Sequence, residues 1–88
     1  MKAIVTVVGK DNSGIVAGVA AKLADLQFNI DDISQTVLDG YFTMMAIVSS
    51  EKTVDFTAVR QNLEAFGQKL NVKINIQSAA IFDAMHNL

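Results

Sequence analysis

The residues able to do polar chemistry gather in one loop, Gly9-Lys10-Asp11-Asn12-Ser13-Gly14, between two apolar segments. Ser13 stands where the N-cap of a following helix is expected, and Ile15 opens that helix's apolar stripe. The first-turn N–H groups of a helix lack intrahelical partners, and the helix dipole is positive there. A carboxylate fits such a place. Backbone N–H groups at Ser13, Gly14 and Ile15 could take one, while Asp11 or Asn12 could take an ammonium group. Gly14 either lets backbone approach closely or supplies an unusual φ. On residue types alone, Asp11, Asn12 and Ser13 cap a helix before they bind anything. The glycine spacing matches neither a Walker loop nor a dinucleotide fingerprint.

Other constellations are sparse. The chain has no cysteine and one histidine, so a disulfide or a thiolate metal site is impossible. His86 lies near the C-terminus with no evident partner, which suits a solvated or capping residue. Asp31-Asp32 is a carboxylate pair, but neighbours on a regular strand point to opposite faces. That spacing sets them apart, and edge-strand charges that discourage uncontrolled pairing explain them. Arg60, the one arginine, is expected on a helix, away from any phosphate cradle. No catalytic constellation, metal site or cofactor is expected, and the chain is read as a non-enzyme. A net charge of −2 without a basic cluster argues against nucleic-acid binding. No segment is long and apolar enough for a membrane span or a signal peptide, so a cytoplasmic location is expected.

The elements that position the loop follow from hydropathy patterning. Ala3 to Val8 is apolar on both alternating faces, as is Tyr41 to Ser49; strands buried on both faces are central in a sheet. A helix is expected from Gly14 to Phe28, with Ile15, Val19, Leu23 and Leu26 in one stripe. Asn29 to Asp39 is the most polar strand and suits an edge. Asp39-Gly40 signals a hairpin. A second helix is expected from Val54 to Leu70, on Phe56, Val59, Leu63, Phe66 and Leu70. Val72 to Ala79 alternates as an edge strand with Val72, Ile74 and Ile76 inward. The order β-α-β-β-α-β with right-handed crossovers gives an α+β, ferredoxin-like sandwich. Its antiparallel sheet has the order 4-1-3-2, with two helices on one face. Residues 81–88 are expected to form a short amphipathic C-terminal helical tail beyond a domain of residues 1–80. The second sheet face is apolar at both central strands, so the tail or a second subunit must cover it. The chain has 88 residues and is 51% hydrophobic, and so small a domain gains from pairing.

The pattern of the N-terminal half resembles the ACT domain, a regulatory module found attached to enzymes of amino-acid metabolism and also alone. The family pattern is an apolar strand, a turn of the form G-x-D-x-x-G-[IV]-[VIL], a helix, and N-I near the start of the second strand. Here these are Ile4 to Gly9, Lys10-Asp11-Asn12-Ser13-Gly14-Ile15-Val16, and Asn29-Ile30-Asp31. Many members carry Arg-Pro before the glycine, where this chain has Asn12-Ser13. The chain looks like the small standalone bacterial members of about ninety residues, and it is similar, more distantly, to the ACT halves of the glycine cleavage system repressor. The resemblance implies pairing of second strands in a homodimer. It also implies an amino acid or similar small metabolite bound at that seam, with Asn29, Ile30 and Asp31 of the neighbouring subunit closing on the loop. A regulated enzyme or regulator is a further implied partner. The rival expectation is a pure dimerisation module with no small-molecule ligand.

Overall fold

The computed structural model describes residues 1–10, 14–52 and 54–80. The order is β1 (Lys2–Lys10), α1 (Ile15–Asp25), β2 (Asn29–Leu38), β3 (Tyr41–Ser49), α2 (Phe56–Leu70) and β4 (Val72–Ser78). The four strands form one antiparallel sheet in the order β2-β3-β1-β4. This is the expected ferredoxin-like arrangement, with β1 and β3 central. The expected tail, residues 81–88, lies outside the described residues.

The alternation of side chains decides which sheet face is covered. Ala3, Val5 and Val7 of β1, Phe42, Met44, Ala46 and Val48 of β3, and Val72, Ile74 and Ile76 of β4 all point one way. They form a single buried cluster with Ile15, Val19 and Leu23 of α1 and with Val59 and Leu63 of α2. Full burial of one such aliphatic side chain contributes roughly 1.5–3 kcal/mol. The opposite face carries Ile4, Thr6 and Val8 of β1 and Tyr41, Met45 and Ile47 of β3. It has no helix over it among the described residues, and Val8, Tyr41 and Met45 remain about half exposed, at 46%, 53% and 51%.

Element ends differ from expectation by local chemistry. Strand β1 runs on through Gly9 and Lys10, which pair with Phe42 and Tyr41, so the polar loop starts later than its composition suggests. The N-cap of α1 is Gly14, not Ser13, with φ +93° and no side-chain cap hydrogen bond. Helix α1 also stops at Asp25 rather than Phe28. Gln27 turns left-handed at φ +70°, and the Phe28 N–H donates back to the Leu23 carbonyl, which drops the Phe28 ring into the core. Helix α2 starts at Phe56, not Val54, because Asp55 caps it. Its Oδ1 accepts the N–H groups of Thr57 at 3.0 Å and Ala58 at 3.4 Å. Asn71, at φ +58°, ends α2 in the left-handed conformation usual after a helix. Both hairpin residues, Asp39 at φ +52° and Gly40 at φ +80°, take the positive φ that a type I′ turn demands.

Candidate functional site

Of the expected loop residues, Asp11, Asn12 and Ser13 lie outside the described residues. Gly14 and Ile15 are seen directly. The carbonyl of Gly14 accepts the Gly18 N–H at 2.9 Å and starts α1. The reason for a glycine here is conformational. A Cβ on Gly14 would meet nothing within 4 Å, but φ +93° is a backbone region that L side chains rarely adopt. The close-approach alternative is therefore not what the described residues require. Ile15 is 2% exposed and anchors the helix start in the core. Its side chain is thus spent on packing, and only its backbone could serve a ligand.

Asn29, Ile30 and Asp31 sit at the far end of the sheet from Gly14. Asn29 pairs with Ser49, and Ser49 with Lys2, whereas Leu38 and Lys10 both pair with Tyr41 at the loop end. Eight residue steps along β3, from Tyr41 to Ser49, at about 3.3 Å each put roughly 26 Å between the two ends. One chain therefore does not bring its two expected half-sites together.

Strand β2 is the outer strand on its side of the sheet. Every residue of it is exposed except Ile30, which is half-buried. Four of its apolar or neighbouring positions stand open: Ile33 at 37%, Val37 at 57%, Leu38 at 73% and Tyr41, just past the turn, at 53%. A register shift between Ile30 and Asp32 marks a bulge at Asp31. This bulge overturns the reading of Asp31 and Asp32 as facing opposite sides. Asp32 stands opposite Ile47, and Asp31 Oδ1 accepts a 3.1 Å hydrogen bond from Ser49 Oγ. Ile47 and Ser49 are two positions apart and share the helix-free face. An extra residue in a strand resets alternation, so both carboxylates reach toward that face. Asp32 Oδ1 also accepts the Ile33 N–H at 2.9 Å, which ties it to its own backbone.

Around Asn29 the fold gathers residues that the sequence did not single out. Ala24, Gln27, Phe28, Asn29, Ser50, Glu51 and Lys52 line an open cleft of about 360 Å³. Ser50 is engaged: its carbonyl accepts the Met1 ammonium at 3.0 Å, its N–H donates to the Met1 carbonyl, and its Oγ accepts the Lys52 N–H. The side chains of Gln27, Asn29, Glu51 and Lys52 carry the cleft's remaining polarity. They come together through the early end of α1, and nothing in their sequence spacing signals it. Among the described residues, no three His, Cys, Asp or Glu side chains are grouped to hold a metal, and no helix is long and apolar enough to cross a membrane.

A ferredoxin-like sheet whose first strand feeds a glycine-started helix, with an open polar second strand, defines a regulatory module of the ACT type. The sequence pattern of the family described as ACT domain matches residues 2–77, and the chain belongs to that family. A UPF0237 protein of Streptococcus pneumoniae is 74% identical over 88 residues, all of this chain and all of that one. The solved structure of an ACT domain protein from Streptococcus pneumoniae superposes with a TM-score of 0.90 at 76% identity, covering 93% of each chain. A protein described as a glycine cleavage system transcriptional repressor shares the fold at a TM-score of 0.76 and 24% identity, over 86% of this chain and 44% of its own.

Proposed function

We propose that the chain is a cytoplasmic, non-catalytic sensor that binds a small metabolite, most simply an amino acid, at the seam of a homodimer. The observation that carries this reading is the placement of its two half-sites at opposite ends of an open edge strand. A two-fold axis at the middle of β2, with the two copies antiparallel, sets Asn29 opposite Leu38 of the partner subunit. Leu38 is level with Lys10, at the loop end of its own sheet. The same operation therefore brings Asn29, Ile30 and Asp31 of one copy beside the start of α1 in the other, on both sides of the axis. A C2 interface is self-complementary in this way. Helix α1 is the helix of the pair that packs beside β2, while α2 packs beside β4.

In this reading the ligand carboxylate meets the unpaired N–H groups at the start of α1, and its ammonium meets Asp11 or Asn12. A regulated enzyme or regulator then reads the liganded dimer. The experiment is a melting-temperature screen of the twenty amino acids. A ligand at 100 times its dissociation constant that binds only the folded state stabilises it by about 2.7 kcal/mol. For a domain of this size that raises Tm by roughly 10 °C or more. Asp11→Asn removes one charged hydrogen bond of about 1.5–3 kcal/mol, so it weakens the hit by one to two decades. The dimer is expected to persist in that variant. A screen without a hit favours a dimerisation module that binds no small molecule. A hit indifferent to Asp11→Asn moves the ligand away from the loop.

A further inference from the structure

We propose that the helix-free face of the sheet docks a second copy of this chain, sheet on sheet, about a two-fold axis that runs along the strands between β1 and β3. The face needs cover. Val8 on β1 and Met45 and Ile47 on β3 are 46%, 51% and 38% exposed, and Ile4 beside them is half-buried. A contiguous apolar patch on the centre of a sheet is uncommon at a free surface. Pairing through β2 leaves it open, because edge pairing extends the sheet in its own plane. Four strands about 4.8 Å apart and eight residue steps of about 3.3 Å along β1 give a face of roughly 500 Å². Stacking two copies therefore removes about 1,000 Å², which reaches the size a specific contact needs.

Charge selects the orientation of the second copy. Sheets that pack aligned keep their strands within about 30° of each other. Two kinds of two-fold axis in the plane of contact do this, one across the strands and one along them. An axis across the strands, level with Thr6, lays β1 on β1 end to end. It sets Lys2 over Lys10 of the partner subunit on both sides of the axis, and such like-charge pairs oppose docking. An axis along the strands lays β1 on β3 instead, each β1 residue over the residue it pairs with in its own sheet. The register then reads across directly: Ile4 meets Ile47 of the partner subunit, and Thr6 meets Met45 of the partner subunit. At one end Lys10 comes over the ring of Tyr41, a cation–π arrangement. At the other end Lys2 comes over Ser49, whose Oγ is bonded to Asp31, so the ammonium meets a carboxylate. Strand β2 comes over β4, with Asp32 over Gln77, since both are level with the Ile4–Ile47 pair. The same lysines that repel in one stack are therefore partnered in the other.

The β2 seam uses the sheet edge and this contact uses the face, so each can be broken without the other. Their two-fold axes do not intersect, and a chain using both grows past a dimer as its concentration rises. Sedimentation velocity on the Leu38→Asp chain, whose seam is weakened, reads the face alone. That chain is expected to remain a reversible dimer at hundreds of micromolar. Adding Met45→Lys at the centre of the face is expected to weaken the dimer by at least roughly tenfold. Circular dichroism stays unchanged, because Met45 is already half exposed in the single chain. Gln77 reports the orientation, being exposed and on β4, away from the seam. Gln77→Lys, facing Asp32 of the partner subunit, is expected to tighten the dimer about threefold, and Gln77→Glu to loosen it as much. An axis across the strands would set Gln77 over Lys73 and reverse that order. A Leu38→Asp chain that is monomeric at hundreds of micromolar overturns the proposal. So do Gln77 variants in the reverse order or without effect. If Leu38→Asp changes nothing while Met45→Lys alone dissociates the parent, the face contact stands and the β2 seam falls.

Discussion

Leu38→Asp tests the seam at the residue most exposed for its apolarity. Leu38 is 73% exposed in the single chain, so the substitution removes little from the fold itself. Complete burial of a leucine is worth ~2 kcal/mol, so about 1.5 kcal/mol remains to be gained when a partner covers it. A two-fold interface counts each residue twice, which makes the loss about 3 kcal/mol per dimer, or roughly a hundredfold in Kd. The new carboxylate also faces the Asn29–Asp31 end of the partner subunit, so like-charge repulsion acts in the same direction. Sedimentation velocity across a concentration series reads the dimer constant directly. Far-UV circular dichroism and Tm at low concentration check that the single chain keeps its fold. A dimer constant unchanged by Leu38→Asp would refute the β2 seam. So would a parent chain that sediments as a monomer at tens of micromolar.

Two further substitutions probe how the helices are held over the sheet. A Cβ at Gly67 would sit 2.7 Å from the Val72 carbonyl oxygen and 3.2 Å from Ile74 Cγ1, so α2 must move off β4 to accept it. Overpacking of about 1–3 kcal/mol then opposes the ~1 kcal/mol of helix propensity that alanine brings. Gly67→Ala is expected to lower Tm by about 4–8 °C, a net loss near 1 kcal/mol, and a rise in Tm would show the contact to be slack. Asp55→Ala leaves two first-turn N–H groups of α2 without their acceptor. It is expected to cost about 1 kcal/mol, read as a Tm lower by roughly 4–8 °C, with Asp55→Asn close to the parent.

The sequence by itself determined the layout of the sheet. Two strands apolar on both alternating faces, β1 and β3, had to be central, and the polar β2 and the alternating β4 had to be edges. Periods of 2 and 3.6 residues are properties of the backbone and survive any tertiary context. Asp39-Gly40 likewise dictated its hairpin, because few residue pairs accept two positive φ values. Tertiary structure decided what these local rules do not contain. The bulge at Asp31 turned both carboxylates toward one face, since an inserted residue is visible only when a partner strand supplies the register. Phe28 lies outside the helix expected to reach it, and beyond a left-handed Gln27 its ring is buried in the core. The separation of Gly14 from Asn29 by the length of the sheet is also a tertiary fact. The fifteen residues from Gly14 to Asn29 say nothing of distance once a helix runs back along a strand, and it is this return that puts the two half-sites at opposite ends of β2.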